Sequence, residues 1–174
     1  MTRFDQLVEL SETYQKLAAE NYARVRQLAE AVRGGLCDYI GAKDGICVRL
    51  VPPVGDFEPK DYGDQAFSMP PRGFRPLGPI AFGLAVRVSR GTDWIRVTAQ
   101  GQKLGNFFIL DIQGGESFRL SLPLGENDSK ELFEYVYNHV LNWFRSQMDQ
   151  YEKGEYGTRE IGFDFARDTD NPVA

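Results

Sequence analysis

From Phe4 to Val32 apolar side chains return every three or four residues: Phe4, Leu7, Val8, Tyr14, Leu17, Ala18, Tyr22, Val25, Leu28, Ala29 and Val32. That is the period of one helix face, no Pro or Gly interrupts it, and Gly34-Gly35 offers an inexpensive left-handed stop. The spacing predicts a helix ending at the glycine pair. At 1.5 Å per residue, about 30 residues reach about 45 Å, more than the width of a domain of this size. Such a helix must kink, project, or pack on a second subunit.

The pattern then turns to alternation. "ICVRLV" (46–51) reads as a strand, and "IAFGLAVRVSR" (80–90) puts Ile80, Phe82, Leu84, Val86 and Val88 on one face, with Ala81, Gly83, Ala85, Arg87 and Ser89 on the other. Gly91-Thr92 reads as a two-residue turn into "DWIRVTA" (93–99). That register sets Val86 opposite Val97, Val88 opposite Ile95 and Arg87 opposite Arg96. "NFFILDI" (106–112) and "SFRLSL" (117–122) follow around Gly114-Gly115. A strict two-residue turn there would set Leu110 against Arg119, so a bulge or longer loop is expected. Asp128 and Glu131 form a capping-box pattern ahead of an apolar stripe through Phe133, Val136, Tyr137, Val140, Phe144 and Met148. A second helix is predicted from there to about Tyr151.

In this order the elements predict an α+β domain over residues 1–152. Its antiparallel sheet has about five strands, a four-stranded meander plus one earlier strand, packed with the long N-terminal helix and the C-terminal helix. Residues 153–174 read as an acidic tail containing one short alternating run, "IGFDF", available as an added strand. "NFFILDI" is apolar on both faces, which calls for cover on both sides. With the overlong first helix, this leads to the expectation of a homo-oligomer, most simply a homodimer.

Residues 52–79 hold seven of the nine prolines and four glycines. A flexible linker is poor in aromatics, whereas this stretch carries Phe57, Tyr62, Phe67 and Phe74. It reads as an ordered loop that wraps a surface, and "PLGP" (76–79) as a structural PxxP spacing.

Charge changes the picture locally. The chain of 174 residues is 42% hydrophobic, enough for a core, and its net charge of −5 opposes nucleic acid and anionic membranes as partners. Yet residues 65–110 carry six cations against Asp93 alone, while residues 149–174 carry seven acids against three bases. Arg87, Arg96 and Arg119, on the face opposite the apolar one and joined by Arg49, form a candidate anion-binding row beside Trp94. The competing reading is neutralisation of that row by the protein's own acids.

Candidate chemistry is sparse. His139 is the only histidine and sits inside the second predicted helix, and no GxSxG, HExxH, GxxxxGK[ST] or GxGxxG occurs. Glu58-Pro59-Lys60 resembles part of a nuclease ExK spacing, but Pro59 does not suit the strand that motif needs. A carboxylate-held metal around Glu58, Asp61 and Asp64 has no diagnostic spacing. No catalytic residue, metal ligand or cofactor is assigned. Cys37 and Cys47 match no CxxC or zinc pattern; an oxidising compartment would allow a disulfide between them, and in a cytoplasmic protein they read as two reduced thiols. The start is charged from Arg3 and Asp5 onward, and no run approaches the about 18 apolar residues of a membrane helix. A cytoplasmic location without membrane contact is expected.

The resulting expectation is a non-catalytic protein-binding or assembly module. It would engage a protein partner through the Pro-rich loop and the adjacent sheet face, using Phe57, Tyr62, Phe74 and Trp94. The alternative is anion or nucleic-acid binding through Arg87, Arg96 and Arg119.

Overall fold

In the computed structural model of the chain, residues 1–42, 45–70, 72–155 and 163–167 are described. Helix α1 spans Arg3–Ile40 and helix α2 spans Glu126–Lys153. Between them run β1 (Val48–Val51), β2 (Ile80–Arg87), β3 (Asp93–Leu104), β4 (Phe107–Ile112) and β5 (Ser117–Leu120), and β6 (Phe163–Arg167) follows α2. The sheet is antiparallel in the order β1-β2-β3-β4-β5, with β6 beside the N-terminal half of β3. This is the α+β architecture that the alternation and the two helical stripes predict.

Helix α1 starts at a full capping box: Thr2 Oγ1 accepts from the Asp5 amide at 3.1 Å, and the Thr2 amide donates to the Asp5 carboxylate at 2.7 Å. These bonds to Thr2 hold the Asp5 carboxyl below its ordinary value. The helix does not stop at Gly34-Gly35. It continues to Gly41, whose φ of 78° makes the left-handed cap. The glycine at position 35 serves helix packing instead, because a Cβ there would collide with the ring of Phe133 on α2. Helix α2 also begins earlier than its sequence pattern suggests, with Gly125 as N-cap and no side-chain cap from Asp128.

The apolar faces meet in one core. Val25, Leu28, Val32 and Leu36 of α1 pack on Leu50, Phe82, Leu84, Ile95 and Val97 of the sheet, with Leu132 and Val136 of α2 closing the end. Residues on the opposite parity of each strand form the outer face.

Two registers differ from the simplest turn assignments. β2 and β3 pair Val86 with Ile95 and Leu84 with Val97, a shift of two residues from the two-residue-turn register, and the loop lengthens to Val88–Thr92. An even shift preserves which side chains face the core, so the inner face is as predicted. The cross-strand partners change: Arg87 faces Trp94, and Arg96 faces Ala85. β4 and β5 pair Leu110 with Phe118 and Asp111 with Ser117 across a longer loop, which restores the matching faces. No helix among the described residues is long and apolar enough to cross a membrane.

Candidate functional site

The Pro-rich segment is an ordered cover with three anchored parts. Its first part, Pro52–Phe57, lies on the outer face of β2 and β3. Small residues on β2 make the seat: a Cβ at Gly83 would stand 2.8 Å from the Val51 carbonyl and 2.9 Å from the Pro52 carbonyl. Into this seat rises Arg96, only 2% exposed, whose guanidinium donates to the carbonyls of Pro52 at 3.0 Å and Gly55 at 2.7 Å. Phe57 lies over the same guanidinium, 4.8 Å from ring centre to Cζ. Thr98 Oγ1 adds a bond to the Pro53 carbonyl at 3.1 Å. Val51, Phe57, Ala85 and Trp94 thereby form a second small apolar cluster on the outer face.

The middle part crosses the sheet edge. A single 3-10 turn, Gly63–Ala66, delivers Asp64 to α1, where it accepts from the Tyr22 hydroxyl and pairs with Arg26. Burial, and then the bond to Asp64, push the Tyr22 phenol above its ordinary value, while Arg26 opposes the rise. Phe67 then bridges to Phe82 on β2 and meets Tyr22 edge to face with ring centres 5.5 Å apart.

The last part runs beside α1. The Tyr14 hydroxyl donates to the Arg75 carbonyl at 3.1 Å. Buried Asn21 donates through Nδ2 to the carbonyls of Pro76 at 3.1 Å and Gly78 at 3.2 Å. Arg75 sits 4.5 Å over the Tyr22 ring, and Phe74 lies 5.5 Å from Tyr14.

This geometry sorts the residues singled out in the sequence. Phe57 and Trp94 are buried, contrary to the exposure a docking role needs, because the loop folds back over the face that they line. Tyr62 is half-buried, its hydroxyl accepting from the Glu58 amide at 2.9 Å. Phe74 alone of the four stays open, at 56% exposure. The three arginines form no common row in solvent. Arg96 is committed to the loop carbonyls, Arg87 is half-buried beside Trp94 at the end of β2, and Arg119 lies exposed on β5 against the Phe107 ring at 3.8 Å. Ala81, Gly83 and Ala85 carried the missed signal: a stripe of small residues is room for main chain, here the loop's own.

The carboxylates are also spoken for locally. Glu58 pairs with Lys60 at 3.4 Å, Asp61 accepts from the Gly63 amide at 3.0 Å, and Asp64 serves Tyr22 and Arg26. Among the described residues no three metal-ligating side chains converge. His139 stacks on Tyr135 with ring centres 5.7 Å apart. Cys37 and Cys47, expected as thiols, are joined by a disulfide that ties the end of α1 to the start of β1. Their Cα atoms lie 5.4 Å apart, inside the span such a bond needs.

The surface left open lies elsewhere, on α1. Burial along this helix begins only at Ala18. Phe4, Leu7 and Leu10 are 72%, 67% and 68% exposed, and Leu17 is exposed as well. They extend the stripe that Val25, Leu28 and Val32 bury further along. With Phe74 and Leu77 of the loop beside Tyr14 and Asn21, they make one open apolar surface. No family model, no curated protein and no solved structure matches this chain.

Proposed function

We propose that this chain is a non-catalytic assembly module that pairs with a second copy of itself through the N-terminal half of α1 and the Phe74–Leu77 part of the Pro-rich loop. The observation that carries this reading is the spacing of Leu7, Leu10, Tyr14 and Leu17, a three-four-three repeat along a helix segment that touches no core.

Two physical arguments favour a second copy over a charged partner. The positions flanking this seam hold Phe4, Gln6, Ser11, Thr13 and Ala18, with Glu20 the one flanking charge, at its C-terminal end, while Asp5, Glu9, Glu12 and Lys16 fall on the far side of the helix. A seam with uncharged flanks through its first three turns meets its own image there without repulsion. The available area also fits. Six exposed side chains at roughly 100 Å² each give about 600 Å² per protomer, so a symmetric pair buries about 1,200 Å², the lower end of a specific interface. A partner would further supply the packing that a helical extension of four turns lacks, since isolated helices of that length are marginal in water.

The sheet face expected to dock a partner is occupied by Pro52–Phe57, so the loop contributes through its exposed end at Phe74. Sedimentation velocity tests the reading. The wild type should run as a dimer, and Leu7→Glu with Leu10→Glu should run as a monomer that keeps cooperative unfolding of the core while losing helical signal from the N-terminal turns of α1. A wild type that stays monomeric at high protein concentration would overturn it.

A further inference from the structure

β1 is an edge strand, and its free edge lines a cavity of about 250 Å³. The main chain facing this cavity follows from the ladder. The Arg87 amide donates to the Cys47 carbonyl at 2.9 Å, so Cys47, Arg49 and Val51 exchange their backbone bonds with β2. Val48 and Leu50 therefore turn their backbone N–H and C=O groups away from β2, toward the open side. Their side chains are in the core, so it is main chain that they present to the cavity.

Around this edge stand three cations and two acids. Arg33 of α1 pairs with Glu30 at 2.9 Å, and Lys60 pairs with Glu58 at 3.4 Å, outside the cavity lining. Asp61 accepts from the Gly63 amide. Arg49 differs from its neighbours: its Nε is sealed from solvent and has no hydrogen-bond acceptor among the described residues. A desolvated donor left unbonded costs on the order of 1–3 kcal/mol, more on a charged group, so a shift of the side chain that brings an acceptor to it is favoured.

From this arrangement we infer that the cavity at the β1 edge binds a carboxylate, held by the Arg49 guanidinium and the outward amides of Val48 and Leu50. Arg49 is the one cation of the lining that forms no ion pair among the described residues, and it matches a single negative charge. A phosphate dianion would stand against Glu30 and Asp61. The volume accommodates a carboxylate with a few further atoms and falls short of the roughly 300–1,000 Å³ of typical cofactor sites. The carboxylate belongs either to a small free acid or to the end of an extended peptide, whose backbone would continue along the same edge. This site is separate from the α1 seam and does not depend on self-association.

Titration of ¹⁵N-labelled protein, followed through the Arg49 Nε–H resonance and the Val48 and Leu50 amides, tests the site. The probes are sodium acetate, an N-acetylated Ala-Ala-Val tripeptide, the same tripeptide as its C-terminal amide, and inorganic phosphate. Saturable shifts with acetate and the free-ended tripeptide, absent with the amide, are expected. Tripeptide binding at least about tenfold tighter than acetate identifies a peptide end, and equal binding identifies a free acid. Arg49→Gln should abolish the shifts, Arg33→Gln should weaken them, and Arg119→Gln on β5 should leave them unchanged. Non-saturable shifts, undiminished shifts in Arg49→Gln, or phosphate binding more tightly than acetate would each overturn the inference.

Discussion

Gly35 on α1 lies against the Cζ–Cε2 edge of the Phe133 ring on α2, so close that a methyl group at position 35 would collide with it. The helices cross at a point where one of them has no side chain at all. A glycine in a helix interior costs about 1 kcal/mol relative to alanine, and the close approach of the two helices offsets it.

Gly35→Ala should therefore destabilise the protein despite its better helix propensity. Overpacking of a filled site costs about 1–3 kcal/mol, and about 1 kcal/mol of helix propensity acts against that loss. Urea denaturation should show a lower midpoint, and Phe133→Leu in the same background should recover it. An alanine variant more stable than wild type would show that α2 can retreat from the crossing.

Arg96 lies buried beneath the loop and bonds its carbonyls, and its loss should release Pro52–Phe57. Arg96→Met removes both bonds to the Pro52 and Gly55 carbonyls and should cost about 3 kcal/mol. In a Trp143→Phe background the remaining Trp94 fluorescence should shift to the red as the cover lifts. Unchanged emission and stability would mean that Phe57 and Thr98 hold the segment without the guanidinium.

The disulfide between Cys37 and Cys47 closes a ten-residue separation. In the chain-entropy picture a loop of this length is worth about 3 kcal/mol. Wild-type protein treated with a thiol reductant should melt earlier, to the level of the Cys37→Ser, Cys47→Ser variant, and the variant should not respond to reductant. Identical melting of oxidised and reduced wild type would exclude a stabilising bond.

Tyr22 links stability to alkaline pH. Its folded-state pKa lies above the ordinary value of 10.0 because burial and the bond to Asp64 favour the neutral phenol. The contribution is complete below pH 10, where both folded and unfolded chains keep the proton, and is lost as pH rises through the folded value. Tyr22→Phe, which cannot ionise, should show a shallower fall in melting temperature above pH 10. Parallel curves for the two proteins would refute the assignment.

Helical and alternating periods made the layers, the strand order and the inner face legible in the sequence, because burial imposes those periods residue by residue. Pairing partners were less legible. The Arg87–Arg96 pairing assumed a two-residue turn at Gly91-Thr92, and the five-residue loop moves Arg87 onto Trp94 without altering either face. Period-two patterns specify faces, whereas loop length specifies register. Gly34-Gly35 misled for a related reason: glycine marks either a left-handed turn or a close approach, and only the position of α2 decides between them. The outer face was hardest. Arg96 beside small residues reads equally well as an open anion site or as a donor for covering main chain, and the folding of residues 52–57 decides for the second. Phe4, Leu7 and Leu10 give no sequence signal that separates them from Val25 and Leu28, since the stripe is continuous and only the sheet's edge divides it.

The Arg96 side chain, threaded from β3 to the carbonyls of Pro52 and Gly55, makes a stretch without regular secondary structure part of the sheet's own opening unit. The Arg96 Nη hydrogens that reach the Pro52 and Gly55 carbonyls should exchange with solvent only when the segment lifts from β3, at rates belonging to the deep interior, although the sequence around those carbonyls looks like surface.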